Sequence, residues 1–98
     1  MAKKKEFKWP ARCPIDENGW AYLQIKYHLT PRELQICVGI CRGLSYKQLA
    51  DSMEIEVTTV RMYLSKIYIK VGVHNKIMLL LRFLENIEDK GKSSKTHK

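Results

Sequence analysis

The residues best suited to contact a charged partner lie in one stretch, 57–71, with the sequence VTTVRMYLSKIYIKV. Beside a set of evenly spaced apolar positions it carries hydroxyls, cations and two further apolar side chains, and no carboxylate: Thr58, Thr59, Arg61, Met62, Ser65, Lys66, Ile69 and Lys70. Hydroxyls and cations donate hydrogen bonds to phosphate oxygens and to base edges. The stretch is therefore predicted to meet a polyanion, and duplex DNA is the first candidate.

The apolar residues of the same stretch predict the element that positions these side chains. Val60, Leu64, Ile67 and Val71 are separated by four, three and four positions. This spacing is typical of a helix that buries one stripe in a core. The cations and hydroxyls then lie on the other faces of the helix, where a partner can reach them.

The charge of the chain is unevenly distributed. The 98 residues carry a net charge of +8. Residues 1–12 hold five cations and one acid, residues 90–98 hold four cations and no acid, and residues 13–89 therefore sum to zero. Within that neutral middle, residues 57–84 contain five cations and no acid. Such a separation steers polyanions to one face, although the lysine-rich ends taken alone are equally explained by solubility.

Two capping boxes predict helices before this stretch. Thr30 and Glu33 form the first box, and Gly43 follows the apolar run that the first helix would bury. Ser45 and Gln48 form the second box, which begins a shorter helix. Only a brief turn separates this shorter helix from the acid-free one. The two are therefore predicted to form a helix-turn-helix, in which the second helix enters the major groove.

Two further elements flank these helices. The stretch 16–28 fits a helix or a strand by its spacing, and we favour a helix because Asp16 or Asn18 can cap it and the sequence offers no second convincing strand to pair with it. Asn75 is predicted to cap a last helix, which runs to about Ile87. The apolar residues of this last helix fall into a predicted core stripe, Ile77, Leu80, Leu81 and Leu84, and a second group beside it, Met78, Leu79 and Phe83. The predicted domain spans 16–88, between a basic disordered arm at 1–15 and a basic disordered tail at 89–98.

Four motifs carry a family resemblance: LTPREL at 29–34, GLSYKQLA at 43–50, TVR at 59–61 and KVGVHNK at 70–76. With them the chain closely resembles the LuxR-type, or GerE-type, helix-turn-helix domain of bacterial transcription regulators. The resemblance implies an all-α domain of four helices, here with an extra N-terminal segment that we expect to form a short helix. It implies sequence-specific binding of double-stranded DNA. Because no receiver or ligand-sensing domain precedes the motifs, we expect a small stand-alone transcriptional regulator.

The resemblance also assigns roles to individual positions. The side chains expected at base edges are Arg61, Met62 and Ser65. Those expected near phosphates are Thr58, Thr59, Tyr63, Lys66, Lys70, Lys47, Asn75 and Lys76. Arg61 is the best candidate for specificity, because its planar fork can bind the O6 and N7 atoms of guanine together. Glu56 stands where the family commonly has serine or threonine.

A single helix-turn-helix contacts few base pairs, so recognition is expected to need two copies. The family dimerises through its last helix, which here implies a weak homodimer through Met78, Leu79 and Phe83. The alternative is that the N-terminal segment covers this apolar group within one chain. Both interpretations remain open at the level of sequence.

Other classes of function are disfavoured. Cys37 and Cys41, with Cys13 and His28, could be drawn as a zinc site. Because both helical cysteines lie on an apolar helix face and the spacing does not match a zinc knuckle, they are predicted to be buried core residues, and no cofactor is expected. His28, His74 and His97 have no convergent nucleophile or acid, so an enzyme is not predicted. No apolar run is long enough to span a membrane, which favours a cytoplasmic, nucleoid-associated protein. The main rival is a helix-turn-helix module that binds another protein regulator instead of DNA.

Overall fold

The chain folds into five consecutive α-helices. The computed structural model describes residues 15–95, with side chains over 15–88, so most of the predicted arm and the last three residues of the tail lie outside the described residues. The helices are α1 (Glu17–Tyr27), α2 (Pro31–Cys41), α3 (Tyr46–Met53), α4 (Val57–Val71) and α5 (Lys76–Lys95). Residues 15–95 contain no strand. The predicted all-α fold with an additional N-terminal helix is confirmed.

Side-chain caps begin the first three helices where the sequence places them. The Thr30 hydroxyl accepts from the Glu33 amide at 3.2 Å, and the Thr30 amide donates to the Glu33 carboxylate at 2.9 Å. Ser45 and Gln48 make the same reciprocal pair at 3.1 and 2.8 Å. Asp16 accepts from the third amide of α1 at 2.9 Å. These bonds satisfy backbone donors that a helix start leaves unpaired, so the helix starts are encoded locally.

Helix α4 lies at the centre of the fold and packs against α3, α2 and α5. Its four stripe residues, Val60, Leu64, Ile67 and Val71, are all at most 4% exposed, as predicted. Gly72 ends the helix at φ 82°, a left-handed conformation that glycine adopts at little cost. Burying this stripe fixes the rotation of α4 about its axis. The acid-free side of the helix therefore faces outward.

The predicted core stripe of α5 is wrong. Leu79 and Phe83, assigned to the dimer surface, are fully buried, whereas Ile77, Leu81 and Leu84, assigned to the core, are 66%, 58% and 39% exposed. Of the predicted stripe only Leu80 packs against the core, and it is half-buried. The error is one of rotation, because α5 carries apolar residues on two adjacent faces and its own pattern does not select between them. Which of the two faces is buried depends on the helix that packs against α5.

That partner is α1, as the alternative interpretation held. The Trp20 ring meets the Phe83 ring edge to face, with centroids 5.7 Å apart and an interplanar angle of 83°. The Tyr27 ring lies 6.2 Å from the same Phe83 ring, and its hydroxyl accepts from the Asn86 side-chain amide at 2.6 Å. Aromatic pairs of this geometry add to the stabilisation from buried area. Leu79 and Phe83 are thus unavailable to a second copy, and of the three predicted dimer residues only Met78 reaches the surface.

The predicted end of α5 near Ile87 is also corrected. The helix continues to Lys95, so residues 89–95 are helical rather than part of a disordered tail. This stretch contains no proline, the residue that most strongly breaks a helix. Within the described part of the chain, no helix is both long and apolar enough to cross a membrane.

Candidate nucleic-acid interface

The outer side of α4 presents the three side chains for which the family resemblance implies contact with base edges. Arg61, Met62 and Ser65 are all exposed, and Met62 is 56% exposed. They occupy adjoining turns on the side away from the buried stripe. The fold therefore brings the three together on one accessible surface, which can offer a cation fork, a hydroxyl and an apolar contact to the same partner.

The cations around this surface are not neutralised by nearby acids. Arg61, Lys66 and Lys76 are exposed, and none of them forms an ion pair with any residue that the structure describes. Lys47 is exposed near the start of α3. An unpaired surface cation keeps its field available to an approaching anion, and the gain is largest where several lie together. The surface is suited to a polyanion.

The first turn of α4 joins hydroxyls to one acid. Thr58 is exposed and Thr59 is half-buried, close to the helix start where backbone amides point outward. Glu56 occupies the N-cap position, but its side chain makes no capping hydrogen bond. Its carboxylate is favoured by the helix dipole and would repel a phosphate at the same place. Tyr63, one turn further along, is half-buried.

The start of α5 contributes a second helix N-terminus. The Asn75 side-chain oxygen accepts from the Met78 amide at 2.9 Å, which confirms the predicted cap. Lys76 follows as the first residue of the helix and is exposed. Because the cap uses the Asn75 oxygen, any role of Asn75 towards a phosphate falls to its amide group or its backbone.

Lys70 differs from the other predicted phosphate residues. Its ammonium lies 2.6 Å from the Glu33 carboxylate and also donates to the His28 carbonyl at 2.8 Å. Burial acts to raise the pKa of Glu33, but the hydrogen bond and charge of Lys70 together with the bonds to Thr30 outweigh it, so this pKa is lowered. Lys70 thus has an internal partner. A phosphate would have to compete with it.

Sequence reasoning missed Tyr46. This side chain starts α3, and its ring centroid lies 5.7 Å from the guanidinium carbon of Arg61 and 5.2 Å from the ammonium nitrogen of Lys76. Both distances fall within cation–π range. One aromatic ring therefore brings together α3, α4 and α5 at the edge of the exposed surface. The only sequence signal was an aromatic residue at the first position of a capped helix.

The cysteines of the described region lie in the core or pack against it. Cys37 is fully buried, and burial in the core raises the pKa of its thiol to about 12, so the thiol stays protonated. Cys41 is half-buried on the same helix. Over residues 15–88, no group of three or more histidine, cysteine or acidic side chains is arranged to hold a metal ion. Cys13 lies outside the described residues.

Comparison with known proteins places this architecture in a family. A model of bacterial regulatory proteins of the luxR family matches residues 27–83. The chain is 43% identical over 56 residues to a probable HTH-type transcriptional regulator GfsR of Streptomyces halstedii, and 34% identical over 62 residues to a probable transcriptional regulator ycf29 of Cyanophora paradoxa. These alignments cover 57% and 63% of the chain.

The two relatives are longer proteins, and the aligned regions make up 23% and 30% of their own lengths. No solved structure gives a significant match. Helix α1 precedes the region of the family model except for its last residue, so the model covers α2, α3, α4 and the first part of α5. With more than half of its length matched and a helix-turn-helix at the expected place, the chain belongs to the luxR family of bacterial regulatory proteins.

Proposed function

We propose that this chain binds double-stranded DNA with sequence preference and acts as a transcriptional regulator, with α4 in the major groove. The observation that carries the proposal is the outer surface of α4, where exposed hydroxyls and unpaired cations surround Arg61 without a neighbouring ion-pair acid. Both relatives are themselves described as probable transcriptional regulators. The 98 residues alone are proposed to suffice for binding.

The proposed roles follow from side-chain chemistry. Arg61 can bind the two acceptors of guanine, Met62 can contact a thymine methyl group, and Ser65 can donate to either kind of base. The proposed phosphate contacts are Thr58, Thr59, Tyr63, Lys66, Lys47, Asn75 and Lys76. Lys70 is left out of this set because its ammonium is held by Glu33. We propose a structural role for Lys70 in place of the phosphate contact suggested by resemblance.

Two copies of the chain are proposed to occupy a site with two half-sites. The corrected rotation of α5 leaves an exposed apolar surface formed by Ile77, Met78, Leu81 and Leu84, which we call the outer α5 face. Exposed apolar surface of this kind favours association, and a two-fold axis lets the same face meet itself. A small patch gives a weak dimer that forms fully only on DNA.

A second candidate function is the binding of a different protein regulator. The outer α5 face is equally suited to a partner's apolar side chains, and Glu56 places a negative charge where a phosphate would otherwise lie. In this case the helix-turn-helix serves as a scaffold. The two candidates differ in their response to salt, since only DNA binding releases condensed counterions.

Selection of bound duplexes from a randomised DNA pool, followed by titration of the recovered duplex at increasing salt, tests the proposal. We expect an affinity that falls with a log-log slope of about −0.9 for each phosphate contacted, and a measurable preference over scrambled duplexes. Failure to enrich any sequence, with no salt-dependent binding, would contradict the proposal and favour the protein-binding alternative.

A further inference from the structure

Tyr46 lies where two cations from different helices converge. Arg61 comes from α4 and Lys76 from α5, and both approach the same ring, at 5.7 and 5.2 Å from its centroid. Significant cation–π pairs occur about once per 70–80 residues, so two on one ring exceed the expectation for a domain of this size. The remaining pair in the described region joins sequence neighbours, Lys26 and Tyr27, and links no helices.

The ring of Tyr46 is itself held in place. Its backbone follows the Ser45 capping box, which fixes the start of α3. Its side chain is half-buried and packs against the hydrophobic core, as does the side chain of Tyr68. Residues 61 and 68 are seven apart, so they lie on the same side of α4. Tyr46 is therefore held by the capping box and by the core, while the guanidinium of Arg61 lies over its ring.

We propose that Tyr46 is a positioning residue for DNA recognition, whose ring holds Arg61 and Lys76 in their binding orientation before DNA arrives. The inference rests on the proposed function and extends it to a residue that is half-buried. A free arginine side chain loses rotamer freedom when it docks on a base, and a side chain ordered in advance loses less. The ring also offsets the mutual repulsion of two like charges, because its negative π-face attracts both.

The test compares Tyr46→Phe, which keeps the ring, with Tyr46→Leu, which removes it and keeps apolar bulk. The probe is a duplex recovered from a randomised pool by the wild-type chain, together with copies altered at single base pairs. We expect Tyr46→Leu to weaken binding to the recovered duplex by about 3- to 10-fold and to reduce discrimination at the position that Arg61 reads. Tyr46→Phe should retain most of that discrimination.

Coupling to Arg61 separates positioning from general loss of structure. In a chain that already carries Arg61→Ala, Tyr46→Leu should lower the affinity for the recovered duplex by no more than about twofold, because the Arg61 side chain that the ring would hold is already absent. Equal losses in both backgrounds, or equal losses on matched and altered duplexes, would overturn the inference. If the wild-type chain binds the recovered duplex selectively and Tyr46→Leu binds it with the same affinity and discrimination, the inference is overturned and the proposed function stands. If the wild-type chain shows no selective binding to any duplex, both the inference on Tyr46 and the proposed function are refuted.

A measurement on the unsubstituted chain covers the case in which Tyr46→Leu does not fold. Protons held over an aromatic ring resonate upfield, so the side-chain methylene protons of Arg61 and Lys76 should be shifted upfield in the proton NMR spectrum without DNA. The exposed side chain of Lys66, on the same helix as Arg61, provides the reference. Ordinary shifts for both Arg61 and Lys76 would overturn the inference.

Discussion

The Lys70 ammonium lies 2.6 Å from the Glu33 carboxylate and joins the last turn of α4 to the first turn of α2. The Glu33 side chain is 4% exposed and that of Lys70 is 32% exposed. The same carboxylate oxygen accepts from the Thr30 amide, so one acid completes a helix cap and an ion pair. The pair therefore helps set where α4, and with it the proposed DNA-binding surface, sits on the rest of the domain.

Removing the cation should destabilise the fold. Lys70→Ala leaves a buried carboxylate without its charged partner, which costs about 1–3 kcal/mol. In a domain of this size that lowers the melting temperature by roughly 5–15 °C. Lys66→Ala is the matched control, since this exposed lysine has no ion-pair partner in the described region and should change stability by no more than about 0.5 kcal/mol.

The same two variants should behave in the opposite way on DNA. Lys66→Ala is expected to weaken binding to all duplexes alike and to flatten the salt slope by about one. Lys70→Ala, measured below its melting temperature, should leave the salt slope unchanged. Thermal melts by circular dichroism and salt titrations of the recovered duplex provide the two readouts. A flattened slope for Lys70→Ala would return this residue to the phosphate contacts.

Stability should fall in acid because of Glu33. Its pKa is lowered in the folded state relative to the ordinary value of 4.5, so the ionised form favours folding. This contribution is complete above about pH 4.5 and is lost as the pH falls through the folded-state pKa. Urea unfolding of the wild type and of Glu33→Gln at pH 7, 5, 4 and 3 measures it. The difference between the two proteins should shrink as the pH falls, and a constant difference would contradict the assignment.

Helix α1 is expected to be essential for stability. Trp20 is 7% exposed and packs on Phe83, so Trp20→Ala should cost about 3–5 kcal/mol through lost burial and the cavity left behind. Ile25 lies on the same helix at 75% exposure, and Ile25→Ala should change stability by no more than about 0.5 kcal/mol. Deleting residues 1–28 removes α1 and should unfold the domain or lower its melting temperature strongly. Equal melting curves for the two point variants would show that α1 does not support the fold.

The sequence was sufficient wherever the determining contacts are local. The boxes at Thr30 and Ser45 link residues three apart, and the stripe of α4 repeats within one helix, so both could be read directly. The rotation of α5 could not, because it depends on Phe83 meeting Trp20, a residue far away in the chain. The ion pair of Lys70 likewise spans 37 positions. A sequence pattern indicates how apolar or charged a helix face is, whereas the tertiary packing determines which other residues contact that face.

The proposed site shows the same division. The exposure of Arg61, Met62 and Ser65 follows from the buried stripe on the opposite side of α4, so sequence periodicity was enough to place them. The approach of two cations to the Tyr46 ring depends on how three helices meet, and no spacing within the chain encodes it.

Base selection should depend on Arg61. Arg61→Ala is expected to cost roughly 1–3 kcal/mol on the recovered duplex, because a bidentate contact to a base carries that much discrimination. On duplexes altered at the base pair it reads, the loss should be small. Fluorescence anisotropy titrations at fixed salt measure both, with folding checked by circular dichroism. An equal loss on all duplexes would assign Arg61 to the phosphates instead.

Dimer formation should depend on the outer α5 face. It should not depend directly on Leu79 and Phe83, the buried residues that the sequence analysis assigned to the dimer interface. Leu81 is 58% exposed, so Leu81→Glu should leave the fold intact while placing like charges face to face across the proposed two-fold axis. Cooperative binding to a duplex with two half-sites, about one DNA turn or roughly 34–36 Å apart, should be lost, while the weak affinity for one half-site is kept. Leu79 is fully buried, so Leu79→Glu should instead unfold the domain, because it places a charge in the core without a partner. Sedimentation and gel-shift titrations distinguish these outcomes, and the proposed dimer is refuted if Leu81→Glu still fills both half-sites cooperatively.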